Sequence, residues 1–397
     1  MKTKLVIFGI TGDLSTRKLL PALEHIIGTQ DYQDVSIVGV SRRDVDVADL
    51  LQSATGSTAL VDRTTVFTMD LAVADDYGRL KDYLALGDDQ QAVIYLSVPP
   101  SAAADIVDLL GKAGLNTGNV KLLFEKPFGF DLFSAQDFID RTKRYFDEQQ
   151  LYRIDHYMAK EIAADILTLR SNAENHHRSW GAHSIASVDI VASEKIGIEG
   201  RTTFYEQTGA LRDFIQGHLM QLLSLVLMDI PADFDIAGLP TYRLEALLQL
   251  WPADPRLATR SQYIGYQEEV ENKGSQTETF VSMDLSSSDP HWQGVKLRLV
   301  TGKALSEKRS FITVHYNDGT QDVFEEGAVR AGDNRLPDAY ERVLIEAIAG
   351  NKALFTSSDE VIRSWEIVRP VQQVWEMNQK AIAQYQQGSV WSDVAKH

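Results

Sequence analysis

Up to about residue 150 the chain alternates short apolar runs with longer amphipathic stretches, and no other feature constrains its fold as tightly. Residues 5–8, 35–40, 92–97 and 120–124 read as strands, and residues 18–27, 72–84, 102–112 and 134–146 carry apolar side chains at helical spacing. Strands that are apolar along their whole length and separated by helices belong to a parallel sheet covered on both faces. After Asp155 the rhythm changes. A helix at 160–169, a strand at 185–191 and a long apolar helix at 209–227 are followed by a helix at 242–250. Alternating runs then appear at 279–284, 295–300 and 311–316, with helical patterns at 334–349 and 359–375 and a polar tail beyond Gln386 that reads as loose. With 397 residues, 44% of them hydrophobic, the chain can bury two cores. The expectation is a doubly wound, Rossmann-like parallel domain over residues 1–155 and an α+β domain with a mainly antiparallel sheet over residues 156–397.

Gly9, Ile10, Thr11, Gly12, Asp13 and Leu14 follow the first strand directly and lead into a helical pattern. The two glycines let a phosphate approach the main chain, and the next helix start offers N–H donors, as a dinucleotide pyrophosphate requires. The third glycine of the usual fingerprint is missing, so read alone the segment equally fits a plain strand-to-helix turn. After the second strand come Arg42 and Arg43, where an enzyme using NAD would carry an acid for the ribose diol; arginines there suit a 2′-phosphate. Asp44 keeps NAD open as well. Two further strand ends carry Pro99 with Pro100, and Glu125, Lys126 and Pro127. Ligands of open parallel sheets lie at such ends, although a lysine there is often simply solvated.

The run Arg153, Ile154, Asp155, His156, Tyr157, Met158, Ala159, Lys160, Glu161 packs carboxylate, imidazole, phenol and ammonium into a short span. If a helix starts at Asp155, His156 and Lys160 share one face near its N-terminus, a setting for a phosphate. The same run also fits an N-capping aspartate before a solvated helix. The net charge of -17 argues against nucleic-acid or anionic-membrane partners, so an anion must be caught by local cations. No cysteine is present, which excludes thiolate catalysis, disulfides and cysteine-held metals. The apolar run from Leu5 is too short for a signal peptide, and no run approaches the roughly 20 residues that span a bilayer. The expected location is the cytoplasm.

Taken together, these motifs resemble the glucose-6-phosphate dehydrogenase family over most of the chain. The resemblance rests on the Gly9 to Leu14 turn with Arg17, Lys18 and Pro21, the Glu125 to Gly129 turn and the 153–161 run. It continues through Ile198, Glu199, Gly200 and Arg201 to Gly209, Ala210, Leu211, Arg212, Asp213 and His218. Gly302, Lys303, Ala304 and Leu305, then Asp338, Ala339, Tyr340, Glu341 and Arg342, complete it. The resemblance implies His218 as general base, Asp155 as the carboxylate that orients it, and Lys126 bridging substrate and nicotinamide. It implies His156, Tyr157 and Lys160 as phosphate ligands, Glu194, Asp213 and Lys303 as sugar contacts, and Lys308 as a second basic residue. Gly9, Thr11, Gly12, Asp13, Leu14, Lys18, Arg42, Pro99 and Lys126 fall at positions for NADP, and no metal is required. It implies NADP-dependent oxidation of glucose 6-phosphate at C1 to 6-phosphogluconolactone, entry to the oxidative pentose phosphate route, in a homodimer or larger homo-oligomer.

Met158 and Ala159 replace the family's Leu-Gly, Gly217 replaces the asparagine before the base, and Ala103 replaces an aromatic residue. The stretch from Phe324 to Asp338 is short, which bears on the assembly and on any second, structural NADP site. A hexose-phosphate oxidoreductase of other sugar or cofactor preference, and a non-catalytic NADP-binding protein, therefore stay open. A histidine fits the chemistry because lactone formation needs a base that titrates near neutrality. Read alone, His218 with Phe214 and Leu222 also fits an apolar helix face, and Glu194 and Lys303 fit strand-end charges. His176 and His177 read as a solvated loop, and Arg212 as an ion-pair residue.

Overall fold

The computed structural model describes residues 1–171, 180–327, 337–378 and 380–396. The chain forms two compact units: Met1–Gly129 with Phe133–Ala159 and Asn334–Ser358, and Phe130–Leu132 with Lys160–Asp333 and Asp359–His397. The observed division departs from a single cut after residue 155, because residues 156–159 and a late segment cluster with the first unit. His176 and His177 lie outside the described residues.

In the first unit, β1 (Lys2–Phe8), β2 (Val35–Ser41), β3 (Thr64–Thr68), β4 (Gln90–Leu96), β5 (Val120–Phe124) and β6 (Leu151–Ile154) pair in parallel in the order β6-β5-β4-β1-β2-β3. The short strand Phe355–Thr356 adds antiparallel to β6. Leu5, Ile7, Val93 and Ile94 have no exposed surface, which is why these strands read as unbroken apolar runs. Helices α1 (Leu20–Gly28), α2 (Val47–Thr55), α3 (Ala74–Leu84), α4 (Pro100–Lys112) and α5 (Leu132–Lys143) connect them. The helix Ala339–Ala349 joins this core through Val343, Leu344 and Ala347. Glu148 ties the late segment down, accepting from the Ser358 hydroxyl at 2.6 Å and from Arg153 at 2.8 Å.

The helix expected at 160–169 is present, but it does not reach back to Asp155. Asp155 accepts the Tyr157 N–H on its side chain and the Met158 N–H on its carbonyl, closing a 3-10 turn over His156–Ala159. The α-helix starts only after Lys160, as α6 (Glu161–Ser171), so His156 and Lys160 do not share an α-helical face.

The second unit is built on β7 (Ile185–Ser193), β8 (Ala258–Tyr263), β9 (Phe280–Leu285), β10 (Lys296–Gly302), β11 (Arg309–Tyr316) and β12 (Gln321–Glu325), in the order β12-β11-β7-β10-β9-β8. The β10–β7 pair is parallel and the others in that order are antiparallel. Val188, Ile190, Leu297, Leu299 and Ile312 are fully buried, at alternate positions along their strands. α7 (Thr202–Ala210) and α8 (Met220–Leu227) flank a π-helical stretch, Leu211–Leu219, where a single long helix was expected. The break is at Gly209, with φ 63° and ψ 175°; a side chain there would collide with the Glu278 carboxylate. Arg243 on α9 (Leu239–Leu248) and Glu360 on the helix Ser358–Met377 pair at 2.8 Å without exposure.

The tail is not loose. Beyond Gln386 the Gly388 N–H donates to the Ala304 carbonyl, Ser389 bridges to Leu305, and Val394 on the turn Trp391–Val394 packs in a cluster with Val191, Val300 and Phe311, after the strand Ala383–Tyr385 has paired parallel with β8. Trp391 adds a second apolar contact in this polar stretch, its ring 6.2 Å from that of Phe311.

Candidate active site

The first-unit residues gather at the carboxyl ends of β1, β2, β4, β5 and β6. Gly9 has φ 78° and donates its N–H to the Val40 carbonyl at 3.1 Å; a side chain there would run into the Ser97 carbonyl. The Gly12 N–H returns to the Gly9 carbonyl at 2.9 Å, and a Cβ on Gly12 would lie 3.1 Å from that same oxygen. Ser15 locks the turn by donating to the Gly9 carbonyl at 2.9 Å. The cramped backbone is a cradle that only small residues can form, which fits the pyrophosphate reading. Thr11 and Lys18 are exposed, and Leu14 packs partly on the core. Asp13 is engaged by Arg17 at 2.7 Å.

Arg42, Arg43 and Asp44 are exposed just past β2, whose last residue is Ser41, a neutral residue. Two cations stand between the neutral strand end and Asp44 and suit a 2′-phosphate, so the residues present fit NADP. Pro99 caps α4 in extended conformation, with Pro100 at the first helical position. Lys126 is half-buried after β5, and its neighbour Glu125, unassigned by the sequence reading, is hydrogen-bonded by the Tyr95 hydroxyl. Asp155 is buried, and the half-buried His156 ring meets the Tyr157 ring edge-on at 5.1 Å.

The remaining residues lie in the second unit. His218 is 5% exposed on the π-helical stretch, its ring 5.6 Å from Phe214 in an edge-on contact. Lys303 is 2% exposed, pairs with Glu194, and holds its ammonium 5.2 Å from the Tyr205 ring centroid and 5.9 Å from that of Phe214. The parallel β7–β10 pair puts both residues at one edge, where the Glu194 N–H donates to Gly302 and the Leu305 N–H to Glu194. Lys303 is thus a buried cation paired with a half-buried Glu194, and not merely a solvated strand end. Asp213 acts electrostatically on Tyr205, whose hydroxyl burial pushes well above its usual range.

Glu278 caps the base-bearing segment, its carboxylate accepting the Leu211 N–H at 2.9 Å and its carbonyl accepting the Ala210 N–H at 2.9 Å. Arg212 is an ion-pair residue, 3.1 Å from Glu376. Lys308 is exposed beyond the 302–305 turn, and Lys160 is half-buried ahead of α6. Tyr205 and Glu278 escaped the sequence reading. Their signal lies only in tertiary contacts, whereas the spacing of Phe214 and His218 was visible.

Comparison with known proteins gives the family. The model of the glucose-6-phosphate dehydrogenase NAD-binding domain matches residues 6–165, and that of its C-terminal domain matches residues 167–336 and 328–397. A glucose-6-phosphate 1-dehydrogenase of Rhizobium meliloti is 30% identical, covering 97% of this chain and 93% of its own length. One from Gluconobacter oxydans is 31% identical, with 97% and 93% covered. The Rhizobium meliloti alignment runs over 457 positions against 397 residues here, so that relative has residues without a counterpart in this chain. The crystal structure of the Mycobacterium avium enzyme superposes with a TM-score of 0.86 at 31% identity, over 99% of this chain and 96% of that one. A glucose-6-phosphate dehydrogenase solved with glucose 6-phosphate shares the fold, with a TM-score of 0.88 at 24% identity over 98% and 95% of the two chains. On both domain models and on full-length relatives, the chain belongs to the glucose-6-phosphate dehydrogenase family.

Proposed function

We propose that the chain oxidises glucose 6-phosphate at C1 to 6-phosphogluconolactone, with NADP as the oxidant. The observation that carries this reading is the second-unit cluster of His218, Phe214, Lys303 and Glu194, a shielded base beside a buried cation and its partner carboxylate, in a chain whose full-length relatives are glucose-6-phosphate 1-dehydrogenases. When bound, NADP accepts the hydride that leaves C1.

His218 takes the proton of the C1 hydroxyl, and Asp155 serves as the carboxylate that keeps the imidazole in the productive tautomer. Lys303, Glu194 and Asp213 hold sugar hydroxyls; His156, Tyr157 and Lys160, with Lys308, hold the phosphate. Lys126 orients the reacting end. The turn of Gly9, Thr11, Gly12, Asp13 and Leu14, with Lys18, Arg42 and Pro99, holds the cofactor, its arginine selecting the 2′-phosphate.

A cofactor-binding part over residues 1–155 and a substrate part over residues 156–397 belong to the same reading. So do a cytoplasmic location and a symmetric homo-oligomer without nucleic-acid or membrane partners. No helix among the described residues is long and apolar enough to cross a membrane.

The test is absorbance of the reduced nicotinamide with glucose 6-phosphate and NADP, alongside NAD and unphosphorylated glucose. Reduction of NADP that depends on the sugar phosphate supports the reading. Folded protein that binds NADP but reduces neither cofactor would favour another hexose phosphate or a binding role.

A further inference from the structure

Four titratable side chains meet at the carboxyl edge of the first unit's sheet: Tyr95 near the end of β4, Glu125 just after β5, Asp155 just after β6, and Tyr340 on the helix Ala339–Ala349. β4, β5 and β6 are neighbours, with Leu96 opposite Phe124 and Phe124 opposite Arg153, so Glu125 leaves the sheet level with Ile154, one residue ahead of Asp155. The fully buried Tyr95 gives its hydroxyl hydrogen to Glu125. The charge of Asp155 acts on Glu125, and Glu125 in turn acts on Tyr340. Asp338, which caps that helix, and Lys126, the next residue in the chain, complete the charged surroundings.

We propose that Glu125 is a positioning residue for the reaction: bonded to Tyr95 and set beside Asp155, it controls the charge of that aspartate's surroundings and through it the strength of the base. The proposal rests on the reading of His218 and Asp155 given above. Two neighbouring carboxyl groups, one buried and one half-buried, do not readily ionise together. Asp155 accepts the Tyr157 N–H at 3.0 Å, which favours its anion. Burial raises Glu125 to about 7; the Tyr95 hydrogen bond opposes that rise and the Asp155 charge adds to it. Below that pH the proton stays on Glu125. Above it the edge gains a second negative charge, which stabilises a protonated imidazole paired with Asp155.

Glu125→Gln retains the shape and hydrogen-bonding capacity of the side chain and removes its titration. Infrared difference spectra of the full chain, taken across pH, should show a neutral carboxylic acid stretch that fades with a midpoint of about 7 and is missing from Glu125→Gln. The acid limb of the kcat/KM profile should move to lower pH in that variant by about one unit, a tenfold change in proton concentration. Tyr95→Phe, measured in parallel, should raise the infrared midpoint because it removes a bond that favours the anion.

An absent near-neutral carboxylic acid stretch would overturn the proposal. So would a Glu125→Gln profile that is lower at every pH with its limb unmoved, as a purely structural role requires. Wild type that reduces no NADP with glucose 6-phosphate would overturn the functional reading itself, while the infrared titration would still report on Glu125.

Discussion

The Lys352 ammonium lies 3.6 Å from the centroid of the Tyr152 ring and donates to the carbonyls of Glu148 at 3.0 Å and Leu151 at 2.6 Å. Ring face and carbonyl oxygens favour a cation. Burial works against it and prevails, pushing the amine down to about 7, with Glu148 opposing that shift and Arg153 and Lys121 adding to it. An unfolded lysine titrates near ~10.4, so between about 7 and 10 the unfolded chain holds a proton that the folded chain has released. Stability from this group therefore rises with pH across that window. The urea midpoint of wild type should gain on that of Lys352→Met between about pH 7 and 9. A difference independent of pH would show that the amine titrates normally.

His218→Asn removes the base while keeping a polar side chain of similar reach. Turnover should fall by roughly 10²- to 10⁴-fold, the usual worth of a positioned general base. Calorimetric affinities for NADP and glucose 6-phosphate should stay close to wild type. Activity within a few-fold of wild type would take the base role away from His218.

Arg42→Ala separates the two cofactors. A lost charge-assisted hydrogen bond is worth about 1.5–3 kcal/mol, so the KM for NADP should rise by roughly 10- to 100-fold while that for NAD changes little. Steady-state kinetics with both cofactors gives the ratio. Equal losses for both would mean that Arg42 supports the loop and leaves the 2′-phosphate to another cation.

Much of this was legible because periodicity reports burial. The strand at residues 120–124 is apolar at every position but Lys121 and lies in the sheet interior, and Gly9 sits where the backbone alone fits. What escaped the reading depends on partners distant in sequence. β3 has only one buried residue and carries threonines, so it lacks an apolar run. The break ahead of the π-helical stretch under His218 falls at Gly209, which lies against Glu278, a pair separated by 69 positions that no local pattern reveals. A helix start at Asp155 was one way to bring His156 and Lys160 together; the aspartate's own hydrogen bonds close a tighter turn first.

The seated tail is the sharpest departure from sequence expectation, and Val394 tests it. Its side chain is 8% exposed in the cluster with Val191, Val300 and Phe311. Val394→Ala removes about two methylene equivalents from that contact and should lower stability by roughly 1–2 kcal/mol. Val394→Asp should lower it further, since burying an unpaired carboxylate is more costly than leaving the cluster. The released segment should then become an early site of limited proteolysis, read by mass spectrometry alongside the urea midpoint. If neither substitution alters midpoint or cleavage, the backbone pairing of Ala383–Tyr385 with β8 and of Gly388 and Ser389 with the 304–306 turn holds the tail without the Val394 cluster.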